Sequence, residues 1–114
     1  MRITLCGSAK FENEFKEWNK KLTLAGHVVY SLACYPSDCG GKDWYNQDQK
    51  NMLDVMHLAK IDNSDAIVVI NKDYYIGEST QREILYAQYK YKTIYYTEHD
   101  NIVGLISGHG NRIS

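Results

Sequence analysis

Apolar residues along this chain alternate between a strand-like period and a helix-like one. Arg2 to Cys6 is a short β-forming run closed by Gly7-Ser8. Phe11, Phe15, Trp18, Leu22 and Ala25 then recur at steps of four, three, four and three. That spacing predicts an amphipathic helix with Lys and Glu on its outer face, ended by Gly26. His27 to Ser31 reads as a second strand. Residues 33–47 keep neither period and carry the one proline and a Gly-Gly pair, so they read as a long loop suited to function or motion. Asp48 to about Lys60 is helical again, with Met52, Val55, Met56 and Ala59 sharing one face. Ala66 to Ile70 is apolar throughout and predicts a central strand buried on both sides. A second loop over residues 71–78 leads into a helix that starts at Ser79 or Thr80 and runs to about Tyr91. A fourth strand, Thr93 to Tyr96, precedes a tail with one short helical turn over Ile102 to Ile106.

Strands alternating with helices predict one α/β domain over residues 1–114. It is a small flavodoxin- or Rossmann-like three-layer unit with a parallel sheet of four or five strands in the order 2-1-3-4. In that order the winding reverses between the first and third strands. A ligand crevice is expected there, at the carboxyl ends of the strands, flanked by the loops that begin at Gly7-Ser8 and at Asn71.

Charge and composition narrow the function. Thirteen basic against fourteen acidic residues, a formal net charge of −1, give no basic stripe for polymeric nucleic acid. No stretch has the ~18 apolar residues of a membrane span, and the N-terminal apolar run is too short for a signal peptide. Cys6, Cys34 and Cys39 are an odd number for a disulfide framework; Cys34 and Cys39 could pair or bind a metal, but no second Cys/His pair has zinc spacing. Free thiols in a reducing cytoplasm, with no metal and no cofactor, are the expectation. Ten tyrosines stand against two phenylalanines, and Tyr74, Tyr75, Tyr86, Tyr89, Tyr91, Tyr95 and Tyr96 crowd into one segment. Tyr74 and Tyr75 are placed to line a pocket, and Tyr86 and Tyr89 suit an oligomer surface.

Two segments can carry chemistry. Cys6-Gly7-Ser8 ends the first strand, where glycine lets a ligand approach the backbone and the next helix offers free N–H groups. The second runs from Gly77 to Ala87. Thr80 and Glu83 fit a Thr-x-x-Glu capping box, which would explain Glu83 as a cap. Yet Thr80, Glu83, Ile84 and Ala87 share one helix face. Glu83 therefore points toward the sheet or the crevice, where a carboxylate is costly unless paired or used.

Together these segments resemble the nucleoside 2-deoxyribosyltransferase-like superfamily, which includes 2′-deoxynucleoside 5′-phosphate N-hydrolases. The matching positions are Cys6-Gly7-Ser8, then Gly77 to Thr80, Glu83 and Ala87, with Ile61 to Ile70 as the helix end and central strand. The resemblance covers roughly residues 1–97. It implies an N-glycosidase or deoxyribosyltransferase that cleaves the base–sugar bond of a nucleoside or nucleoside 5′-monophosphate, with Glu83 as nucleophile. The family's second acid would fall at Gly77, so Glu78 is the nearest catalytic candidate. Gly7, Ser8, Ser79 and Thr80 match phosphate-holding positions, with Cys6 and Gly77 in the same turns. Asp54, His57 and Asp62 are alternatives for a base-binding acid, and Asp54 is carried forward. On the residues alone, Asp62 also reads as a turn former and His57 as a half-buried histidine without function. Tyr35, Trp44 and Tyr45 could stack on a base from the loop over residues 33–47, or simply pack beneath it. The resemblance further implies a homo-oligomer of two or more copies, with His109, Asn111 and Arg112 of the tail as residues a neighbour could receive. Two competing readings are a nucleotide-binding sensor without turnover, and a glycosidase acting on a dinucleotide or signal nucleotide.

Overall fold

The computed structural model describes residues 1–106; His109, Asn111 and Arg112 lie outside the described residues. Four parallel strands form one sheet in the order β2-β1-β3-β4. They are β1 (Arg2–Gly7), β2 (Val28–Tyr30), β3 (Ala66–Ile70) and β4 (Thr93–Tyr96). The register pairs Arg2 with Val28, Ile3 with Ala66 and Ala66 with Thr93. The predicted α/β fold and strand order are thus as observed. The helices are α1 (Glu12–Leu24), α2 (Pro36–Cys39), α3 (Gln47–Asp62), α4 (Glu78–Tyr89) and α5 (Val103–Ile106).

Strand alternation sorts the core into two layers. Ile3, Leu5, Val68 and Ile70 face α1 and α5, where Phe11, Phe15, Leu22, Ile102 and Leu105 close over them. The intervening residues Cys6, Ile67 and Val69 face the other way, against Ile61, Ile84 and Ala87 from α3 and α4. Thr4 shares that second face, and its hydroxyl lies 2.6 Å from that of Ser64, so a buried polar pair is satisfied. The odd-even pattern of β1 therefore places Cys6 beneath α3 and α4, and this decides the composition of the site.

Helix ends hold the frame. Gly26 takes φ 93° after α1, while its N–H donates to the Thr23 carbonyl and that of His27 to the Leu22 carbonyl. This is a Schellman closure, which the sequence position of Gly26 predicts. His27 is then buried, its Nε2 2.9 Å from the Leu105 carbonyl. A capping box starts α3: Asn46 accepts from the Gln49 N–H at 2.8 Å, and Gln49 accepts from the Asn46 N–H at 2.9 Å.

Three features differ from or add to the expected ones. First, the face of α3 that Met52, Val55 and Met56 share is turned to solvent, with these residues 64%, 59% and 49% exposed. The helix packs inward through His57 and Ile61 instead. Second, Cys34 and Cys39 are not free thiols but a disulfide, with Cα atoms 6.3 Å apart. The short helix α2, begun by Pro36, turns the chain so that Cys39 comes back over Cys34. Third, α4 begins at Glu78 with Gly77 as its N-cap, and no side chain caps it. The Thr80–Glu83 capping box is absent because both residues are already inside the helix, and Thr80 is buried.

Candidate active site

Glu83 lies in the second turn of α4, on the face that meets the sheet. Its side chain is 17% exposed. Cys6 from β1 and His57 from α3 meet it there: Cys6 Sγ is 3.6 Å from His57 Nε2, and that nitrogen is 3.8 Å from Glu83 Oε1. The protonation states follow from burial. Desolvation raises Glu83 to about 7; nearby Asp54 adds to this, while a hydrogen bond with Cys6 and the charges of Lys50 and Arg82 oppose it. Burial lowers His57 to about 4, with the Lys60 charge reinforcing it. Cys6 has no exposed surface, and burial followed by the Glu83 charge holds its thiol well above the usual range. The His57–Glu83 contact is therefore not an ion pair near neutral pH, because the imidazole is neutral.

Glu83 opens into a pocket of about 160 Å³ between α3 and α4, lined by Asp54, Leu58, Ser79, Arg82, Glu83 and Tyr86. Three residues singled out from the sequence, Glu83, Asp54 and Ser79, are brought together here. Leu58 and Tyr86 join them, and so does Arg82, whose Nη2 donates to the Ser79 hydroxyl at 3.2 Å. Asp54 is held by Lys50 at 3.1 Å. Tyr86 donates to the Asp62 carboxylate at 2.8 Å, which gives Asp62 a structural partner outside the pocket lining.

The remaining candidates lie elsewhere. Glu78 is 90% exposed at its side chain and pairs with Arg82 Nη1 at 3.4 Å on the outer surface of α4. Tyr35 packs on the opposite layer: its ring tilts against Phe15 with centroids 6.2 Å apart, and its hydroxyl meets Ser31 at 2.8 Å. Cys6 sits beneath Glu83 with no exposed surface. Ser8 caps the turn before α1 by accepting from the Lys10 N–H at 3.3 Å. Thr80 is buried, and Gly77 lies against Tyr75.

At the carboxyl ends of β1 and β3, where the crevice is expected, the two flanking loops touch. Lys10 Nζ stands 3.5 Å from the centre of the Tyr75 ring, and Phe11 meets that ring edge-on at 5.9 Å. The two strand-end loops are thereby in contact. Gly7 serves this closeness: a Cβ there would lie 3.0 Å from the Ile70 carbonyl oxygen and 3.4 Å from the Phe15 ring. Gly7→Ala is expected to destabilise the fold by about 1–3 kcal/mol, because the nearest neighbour is backbone and cannot rotate away. A urea midpoint unchanged from wild type would show that the strand ends yield.

No protein-family model matches the chain, and no curated protein matches it in sequence. Among solved structures, it is similar to the CMP N-glycosidase BcmB of Clostridium botulinum. The TM-score is 0.56 with 19% identity, over 92% of this chain and 80% of that one. At this identity the shared property is the fold.

Proposed function

We propose that this chain is a nucleotide N-glycosidase-like enzyme with Glu83 as its nucleophile. The observation that carries the reading is a carboxylate largely buried against the second core layer, with no salt bridge to a lysine or arginine among the described residues, in the wall of a pocket. Burying such a group costs stability and calls for a use. The fold shared with a CMP N-glycosidase supports the same class of substrate.

In the reaction, a carboxylate oxygen of Glu83 attacks the anomeric carbon as the base–sugar bond breaks. The base leaves with the bonding electrons and takes up a proton from solvent. The resulting glycosyl ester is then hydrolysed by water, or resolved by a second base. Arg82 and Ser79 supply a cation and a hydroxyl at the rim for a phosphate or sugar oxygen, and Tyr86 offers a ring beside the base. Asp54 is the second carboxylate of the pocket.

A pocket of about 160 Å³ is smaller than the ~300 Å³ typical of small-molecule sites, so it takes a base or a sugar rather than a whole nucleotide. Asp54 and Leu58 share α3 with the exposed Met52, Val55 and Met56 stripe. A second copy seated on that stripe would extend the pocket wall. Sedimentation should then show a dimer that Met56→Glu dissociates; a wild-type monomer at high concentration would remove this part of the proposal.

Release of free base from a panel of ribo- and deoxynucleosides and their 5′-monophosphates, followed by chromatography, tests the activity. Only ionised Glu83 attacks, so kcat/KM in metal-free buffer should rise with pH and level off above about 7. A profile flat from pH 5 to 8 would exclude Glu83 as the titrating nucleophile. Binding of nucleotide with no base released from any member of the panel would favour a sensor.

A further inference from the structure

Cys6, His57 and Glu83 bring three different metal-ligand chemistries to one point from β1, α3 and α4. Sγ, Nε2 and a carboxylate oxygen all lie within 4.8 Å of one another. Sulfur lies 3.6 Å from nitrogen, and nitrogen 3.8 Å from oxygen. Tetrahedral zinc, with bonds of about 2.3 Å to sulfur and about 2.0–2.2 Å to nitrogen and oxygen, holds its ligands roughly 3.2–3.6 Å apart. The two separations lie at or just beyond the upper end of that range.

We propose that Cys6, His57 and Glu83 form a three-ligand zinc site whose fourth position opens into the pocket between α3 and α4. The donor set is the mixed thiolate, imidazole and carboxylate kind that zinc accepts, and three protein ligands with one open position is the pattern of accessible zinc sites rather than closed structural ones. Glu83 lines the pocket, so an ion has a path in, while Cys6 waits below it without exposed surface. Binding forms the zinc–sulfur bond as the Cys6 thiol proton leaves to solvent, and any proton on Glu83 leaves with it.

One consequence rests on the proposed function. A carboxylate bound to zinc cannot attack an anomeric carbon, so zinc silences base release and a chelator restores it. The site itself is tested without turnover. Cobalt(II) added to the purified chain should give the ultraviolet thiolate-to-metal charge-transfer band and the intense visible bands of a four-coordinate ion, and zinc should bleach both. The same spectrum is expected from Cys34→Ser/Cys39→Ser, which removes the other sulfurs. Cys6→Ser should lose the charge-transfer band, and His57→Gln should weaken cobalt binding at least tenfold. No band in the wild-type protein, or a band that survives Cys6→Ser, overturns the proposal. If circular dichroism shows Cys6→Ser unfolded, His57→Gln decides: unchanged cobalt affinity overturns the site. Failure of the glycosidase reading would leave the cobalt spectrum intact.

Discussion

Glu83→Gln should abolish base release and at the same time make the protein more stable. The two effects have one cause. Loss of a nucleophile typically lowers turnover by about 10⁴-fold or more, leaving only what positioning contributes. The stability gain follows from linkage. Folded Glu83 titrates at about 7 against an ordinary value of 4.5, so the unfolded chain gives up this proton at lower pH than the folded one. Between these values the folded state holds more protons, and its stability falls as pH rises; above about 7 the whole penalty is present. A shift of this size corresponds to at most about 3 kcal/mol, and partial exposure of the carboxylate reduces it, so roughly 1–3 kcal/mol is expected. Glutamine keeps the shape and removes the charge. Thermal denaturation at pH 8 should therefore show a melting point several degrees above wild type for Glu83→Gln, with the difference gone near pH 4. A capping or packing role would give the opposite sign at pH 8, a loss of stability, and would leave base release near wild type.

Much of this was readable in the sequence, and the reasons for the misses are physical. The four strands announce themselves because β-branched runs such as Ala66 to Ile70 have no polar residue to place in solvent, and all five are buried. Phe15 and Leu22 are the buried residues of α1, as their spacing predicts. Glu83 stood out because its helix face also carries Ile84 and Ala87. The α3 face misled because apolar spacing reports a stripe without saying what covers it. Met52, Val55 and Met56 form a regular stripe, yet the sheet is met by His57 and Ile61, one of which is polar. Asp54 then falls at the pocket for the same reason that His57 falls on Cys6: the inward face of α3 is the mixed one. The Cys6–His57–Glu83 cluster has no spacing signature, since sulfur and imidazole are 51 residues apart and only the pleat of β1 puts Cys6 on that side. The Cys34–Cys39 disulfide depends on a four-residue helix that no periodicity can report. Lys10 on Tyr75 is likewise a contact between loops, which strand order alone does not report.

The largest purely structural effect is expected from Phe15→Ala. Phe15 has no exposed surface and stands among the largest fully buried side chains. It packs in the layer formed with Ile3, Leu5, Leu22, Val68 and Ile70, tilts against the Tyr35 ring, and lies beside the Gly7 turn. Removing a buried phenylalanine ring typically costs about 3–5 kcal/mol, through lost transfer energy and the cavity left behind. Small domains carry about 5–15 kcal/mol in total, so this one change consumes a large part of it. The cavity would resist collapse, because β1 and β3 are fixed by the ladder on one side and Tyr35 is tied to Ser31 on the other. The melting temperature should fall by at least about 12 °C. Phe15→Leu, which refills most of the volume, should recover more than half of the loss. Trp18→Ala, on the same helix but only partly buried, should cost less than Phe15→Ala. Equal costs at the two positions would mean that α1 is held by its exposed rim and not by the layer beneath it. The site offers a second readout: Phe15 and Glu83 lie on opposite faces of the sheet, so folded Phe15→Ala protein should keep the pH profile of base release even as its stability drops. A shifted profile would show that the two layers are coupled through β1, whose Leu5 and Cys6 face them in turn.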